Sequence, residues 1–154
     1  TLFVLTADHA TVSHFSEYQT SIGYYSVPIL FYHPAGNLKG MQKQSIQQID
    51  IMPTVLGLLN YNKPYFAFGF DALAATEERF EVNNNEGSYS LFWKNYVLMN
   101  DGTKTTAIYA YKTDRLLKQN LVGKLAEQPI MENKLKAFIQ QYNNRMIHNQ
   151  LTVQ

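Results

Sequence analysis

Two short runs in the first third of the chain are apolar at every position instead of at alternate ones: Leu2-Phe3-Val4-Leu5, and Val27-Pro28-Ile29-Leu30-Phe31-Tyr32 before Pro34 and Gly36. Unbroken apolar runs of this length predict strands buried on both faces, the condition of a parallel sheet covered by helices. Asp50 then precedes Ile51, Met52, Val55, Leu56, Leu58 and Leu59, an apolar set at helical spacing with Pro53 in the first turn. This predicts a short buried helix, capped by Asp50 and packed on that sheet. The polar stretch from Thr76 to Gly87, centred on Asn83-Asn84-Asn85, predicts a surface loop. After it, Tyr89 to Met99 and Thr105 to Tyr111 are rich in aromatic and β-branched residues and flank the turn signal Asn100-Asp101-Gly102. They predict an antiparallel hairpin or meander, with Tyr89, Phe92, Trp93 and Tyr96 covering a core. From Pro129 on, Met131, Leu135, Phe138, Tyr142 and Met146 recur at steps of three and four, the stripe of an amphipathic helix. The expected fold class is therefore α/β. A partial parallel or mixed sheet with flanking helices occupies residues 1–75, and an antiparallel meander with a C-terminal helix occupies 88–154.

Composition narrows the function classes. With 154 residues, 45% hydrophobic and 14% aromatic, the chain can bury a core and is too apolar for a disordered tail. Thirteen Lys and Arg balance twelve Asp and Glu, so no large basic field exists to hold a nucleic-acid backbone. The absence of cysteine excludes disulfides, thiolate zinc sites and a cysteine nucleophile. Neither internal repeats nor a glycine-rich phosphate loop is found. The uncharged stretch from Tyr18 to Leu38 contains Pro28 and Pro34, which a membrane span tolerates badly. A chain that opens inside an apolar strand, without a charged leader, is expected to be part of a longer polypeptide.

One constellation carries chemistry. Thr6-Ala7-Asp8-His9 follows the first predicted strand directly, and open α/β sheets collect ligands at the carboxyl ends of their strands. A carboxylate oxygen beside an imidazole nitrogen suits a divalent cation. The competing reading is that Asp8 caps a turn and His9 is an ordinary half-buried residue. His14 is a further candidate for contacting metal or substrate, although five residues from His9 it would not share a helical face with it. His33 and His148 have no acidic neighbour in sequence and receive no role. Tyr18, Tyr24 and Tyr25, in the segment after the pair, are placed to line a substrate cleft.

The segments Thr1-Leu2-Phe3-Val4-Leu5-Thr6-Ala7-Asp8-His9, Val27 to Tyr32 and Gln48-Ile49-Asp50-Ile51-Met52-Pro53-Thr54-Val55-Leu56 resemble the latter part of the sulfatase and lipoteichoic acid synthase catalytic domain. That family belongs to the alkaline phosphatase superfamily. Phe68-Gly69-Phe70-Asp71 and the stretch from Leu135 to Asn143 look like the same group, so the resemblance extends over most of the chain. It implies that Asp8 and His9 are metal ligands for Mn²⁺, Mg²⁺, Zn²⁺ or Ca²⁺, and that the substrate is a sulfate or phosphate ester, carried on a lipid headgroup or a glycan. It places the nucleophile and the remaining ligands upstream, so the chain alone would be inactive. It further implies an extracytoplasmic domain on a membrane-anchored protein, either a sulfatase or a phosphoglycerol transferase. Ala10 departs from the Gly or hydroxyl residue usual after the pair. The alternative from a different class is a non-catalytic α+β module that binds a partner through its aromatic meander.

Overall fold

The computed structural model describes residues 1–11, 13–36, 38–74 and 79–153. The first two strands, β1 (Phe3–Leu5) and β2 (Leu30–Tyr32), pair with each other as a separate ribbon. The ribbon is antiparallel, with Phe3 opposite Tyr32 and Leu5 opposite Leu30, which corrects the expected parallel arrangement. An apolar run reports a tendency to be buried and carries no information about strand direction. Nor are both faces covered: Phe3, Leu5, Leu30 and Tyr32 share one face and are each about half exposed, while Val4 and Phe31 are partly buried on the other. No parallel pairing occurs among the described residues.

The short helix is present as α1 (Ile51–Leu58), with Pro53 and Thr54 buried. Its hydrogen bonds from Thr54 tie it to the loop at residues 69–72. Thr54 Oγ1 donates to the Asp50 carbonyl at 2.6 Å and accepts the Ala72 N–H at 2.8 Å. A Cβ at Gly57 would meet the Asp71 carboxylate, and one at Gly69 would meet the Ile49 carbonyl, so both glycines permit close approach.

Asp50 is structural, as expected, but it does not cap α1 through its side chain. It is 3% exposed, and its two carboxylate oxygens accept the N–H of Gln47 at 3.0 Å and the N–H of Phe70 at 2.8 Å. Those bonds close the 3₁₀ turn Gln48–Asp50 and tie it to a loop twenty residues away.

The second half is a four-stranded antiparallel meander, β3 (Phe80–Asn85), β4 (Ser88–Trp93), β5 (Tyr96–Asn100) and β6 (Thr105–Tyr109), in sequential order. The loop expected over Thr76 to Gly87 is corrected here. Positions 80–85 form a strand, and Glu86 and Gly87, both at positive φ, make the tight turn into β4. The expected Thr76–Glu78 portion lies outside the described residues. Asparagine disfavours strands, yet Asn83, Asn84 and Asn85 pair in register with Ser90, Tyr89 and Ser88 at the exposed hairpin end.

Helix α2 (Gln128–Ile147), with Pro129 in its first turn, lies across one face of the meander. Leu91, Trp93, Leu98 and Ile108 of the strands and Met131 and Leu135 of the helix make the buried core. The helical stripe continues as predicted through Phe138, but Tyr142 and Met146 stand 44% and 48% exposed, so only the first half of the stripe enters the core. Aromatic rings join the two halves of the chain. The Phe68 ring centroid lies 5.5 Å from Phe138 and 5.3 Å from Tyr142, and Phe70 lies 6.4 Å from Phe80.

Since Phe138 is part-buried and meets the rings of both Phe68 and Phe80, Phe138→Ala should destabilise by roughly 3 kcal/mol, the low end for a core phenylalanine, in chemical denaturation. Glu81, half-buried on β3, has its carboxyl pushed up from 4.5 to about 7 by burial and then by the negative Asp50, partly offset by Lys112 and Arg79. Between those values the folded protein keeps a proton that the unfolded chain loses, so stability falls as pH rises through this window and levels off above it. Glu81→Gln should therefore raise the Tm at about pH 8 by several degrees and leave it nearly unchanged at about pH 4.

Candidate functional site

The segment after β1 leaves the ribbon at Leu5 and is held at two points by groups distant in sequence. Gln48, in the turn before α1, donates its side-chain N–H to the Ala7 carbonyl at 2.6 Å. The Ala10 N–H donates to the Tyr24 carbonyl at 2.7 Å, within the 3₁₀ turn Gly23–Tyr25. Between these anchors sit Asp8 and His9. A buried glycine, Gly23, allows the Tyr24 turn to close, because a Cβ there would run into the Glu17 carbonyl.

Asp8 Oδ1 accepts the His9 backbone N–H at 2.9 Å, which fixes the carboxylate relative to the imidazole. The ring of His9 stacks on Tyr24, with centroids 4.7 Å apart and planes 15° from parallel. Tyr25 meets Tyr24 edge-on at 5.2 Å. His9 Nδ1 lies 2.8 Å from the Ala10 carbonyl oxygen. A carbonyl only accepts, so this bond requires the proton on Nδ1, and in the neutral ring the lone pair then lies on Nε2. That Nε2 faces Asp8 Oδ2 at 3.5 Å.

This is a donor pair suited to a cation. Two ligands each about 2.1 Å from one small ion stand roughly 3.4 Å apart along a tetrahedral edge and roughly 3.0 Å along an octahedral one. The observed separation matches the first, and a carbonyl bonded to the non-ligating ring nitrogen is the usual support for a metal-binding histidine. The residues therefore fit a divalent metal as two of its ligands. They do not complete a site, since no group of three His, Asp or Glu residues able to hold a metal occurs among the described residues. Both side chains face solvent, Asp8 at 87% exposure and His9 at 44%.

His14 is exposed and makes no third member of the pair. Tyr24 is the aromatic that reaches the candidate site, while Tyr18 is partly buried in the turn Ser16–Gln19. His33 Nδ1 accepts the Ala35 N–H at 3.3 Å, and His148 Nδ1 lies 2.8 Å from the Asn144 carbonyl, so both serve local backbone. The contribution of Gln48 was not visible in the sequence. A glutamine forty-one positions from the carbonyl it binds leaves no local signal.

No family model matches the chain, and no curated protein matches its sequence. Nitrogen-detected NMR on His9 at a pH where its ring is neutral should show the proton on Nδ1. Protonation at Nε2 instead would remove the lone pair that a metal needs.

Proposed function

We propose that this chain is the C-terminal part of a metal-dependent catalytic domain of the sulfatase and lipoteichoic acid synthase kind, with an alkaline phosphatase-like fold, acting on sulfate or phosphate esters. The observation that carries the reading is the convergence of His9 Nε2 and Asp8 Oδ2, 3.5 Å apart just past the carboxyl end of β1, with the other ring nitrogen engaged by a backbone carbonyl. Such a donor pair would hold Mn²⁺, Mg²⁺, Zn²⁺ or Ca²⁺. Held there, a divalent ion would supply the positive charge that lowers the pKa of a nucleophile and neutralises the non-bridging oxygens of a tetrahedral ester.

Within that reading the chain's own residues have distinct tasks. Asp8 supplies negative charge and a hard oxygen. His9 supplies a neutral nitrogen whose direction is set by Ala10 and by the Tyr24 ring beneath it. Gln48 holds the start of the loop against the turn before α1. The nucleophile and the remaining ligands would come from an upstream part of the same polypeptide, in a membrane-anchored protein whose catalytic domain faces outward. Among the described residues, no helix is long and apolar enough to cross a membrane.

The alternative, a binding module using the aromatic meander, draws less support. Trp93 is 4% exposed, Tyr89 and Tyr96 pack against the core, and Phe92 meets Tyr111 at 5.3 Å, so these rings are already occupied.

Calorimetry with Mn²⁺ and Zn²⁺ on the polypeptide extended upstream tests the proposal. Asp8→Ala should weaken binding by about tenfold or more, as for loss of a charged ligand, and unchanged affinity would overturn it. The 154-residue chain alone should turn over neither a chromogenic sulfate nor a phosphate ester, because a catalytic unit lacking its nucleophile keeps almost none of its rate. Robust turnover abolished by Ser13→Ala would show the nucleophile to lie within this chain.

A further inference from the structure

The second half of α2 leaves the core and meets the loop that follows α1. The Phe68 ring lies 5.3 Å from Tyr142 and 4.9 Å from Phe66, and the Arg145 guanidinium sits over the Phe66 ring, 4.1 Å from its centroid. Beside this seam stand Tyr142 and Met146, one helical turn apart on the same stripe, and the half-exposed pair Tyr61 and Tyr65, whose ring centroids are 6.2 Å apart. We infer that this band, made by Tyr61, Lys63, Tyr65, Tyr142, Arg145 and Met146, docks the chain on the surface of an anionic lipid bilayer. Such docking is separate from any membrane anchor upstream.

Local structure exposes these side chains. Asn60, at positive φ, and the Tyr61 N–H, which donates to the Leu56 carbonyl at 2.9 Å, close α1, and residues 61–65 that follow are all exposed. At the end of α2 the Gln150 N–H donates to the Arg145 carbonyl at 2.8 Å, and the Arg145 guanidinium donates to the Gln150 carbonyl at 3.0 Å. These two bonds fix the arginine at the seam, and a guanidinium has further donors for a lipid phosphate.

Charge selects the occupant. From Ile51 to Phe70 the only Lys, Arg, Asp or Glu is Lys63, and from Ala137 to Gln154 the only one is Arg145. A protein surface ordinarily carries about a quarter to a third charged residues of both signs. The two segments that meet here carry little charge, and all of it is positive. Tyrosine suits the boundary of a bilayer because its ring is apolar and its hydroxyl polar, while lysine and arginine lay apolar stems along the acyl region and keep their charge among the phosphates. An anionic leaflet attracts such a band. The 61–65 loop projects and offers no groove to an acidic peptide, whereas a bilayer boundary takes in projecting rings without a matching shape. The other exposed apolar face, on the β1–β2 ribbon, lacks this complementarity, since residues 1–38 contain no Lys or Arg.

Co-flotation of the 154-residue chain with lipid vesicles tests the assignment. Vesicles of phosphatidylcholine and phosphatidylglycerol in about equal parts should bind it about tenfold more tightly than phosphatidylcholine alone, and the difference should shrink as salt rises. Lys63→Gln should lose about fivefold on the anionic vesicles. Tyr61→Ser and Tyr65→Ser in the loop and Met146→Gln on α2, all at exposed positions, should each lose about threefold or more there. Leu30→Ser on the ribbon face and Ile130→Gln in the first turn of α2 replace apolar residues of similar exposure and should lose nothing. Asp8→Ala should leave vesicle binding intact, which separates this surface from the metal proposal. Equal binding to neutral and anionic vesicles, or equal losses in Leu30→Ser, would overturn the assignment. So would a dimer in sedimentation that Tyr65→Ser dissolves, since the face would then join two copies of the chain. Binding that vanishes once the upstream catalytic part, without its membrane spans, is joined to the chain would overturn it as well.

Discussion

The buried carboxylate of Asp50 is the constraint on which the arrangement of this chain depends. Its two oxygens accept backbone N–H groups from Gln47 and Phe70, and a buried donor left without its acceptor costs on the order of 1–3 kcal/mol. Losing both at once would release the 69–72 loop from the start of α1. Phe70 in that loop and Phe68 just before it lie against Phe80 and Phe138, so the aromatic part of the contact between the two halves is held in place through this side chain. Thr54 reinforces it one turn later by bridging the Asp50 carbonyl and the Ala72 N–H.

The residues beside Asp50 extend the same junction in two further directions. Gln47 accepts the Val82 N–H at 3.1 Å, satisfying a donor on the outer edge of β3, which no neighbouring strand covers among the described residues. Gln48 reaches the Ala7 carbonyl and thereby positions the loop that carries Asp8 and His9. Three nearly consecutive side chains thus connect the meander, the aromatic loop and the candidate metal pair. A disturbance of the turn at 47–50 would be felt in all three places.

The sequence made some of this legible and concealed the rest for physical reasons. The meander, the turn at residues 100–102 and the helix after Pro129 follow from alternation, turn chemistry and helical spacing, all local properties. The Asp8–His9 pair was legible because its two members are adjacent and follow a strand. Strand direction in the β1–β2 ribbon was not, since an apolar run looks the same whichever way its partner runs. Strand β3 was hidden by its three asparagines, whose turn propensity was overridden by in-register pairing with β4. Long-range ties from Gln47, Gln48 and Asp50 had no local signature at all. A cleft lined by Glu81, Tyr111 and Lys112 draws its members from residues 44 to 112, which become neighbours only through the fold.

As a metal site, the Asp8–His9 pair would require more than further ligands. At Asp8 and His9 the geometry is arranged, but the surroundings are water, where a pair of unit charges 4 Å apart interacts by only about 1 kcal/mol. Supplying more ligands would therefore be insufficient for catalysis. Whatever completes that site must also cover it, because the same charges at an effective dielectric of about 20 interact by about 4 kcal/mol.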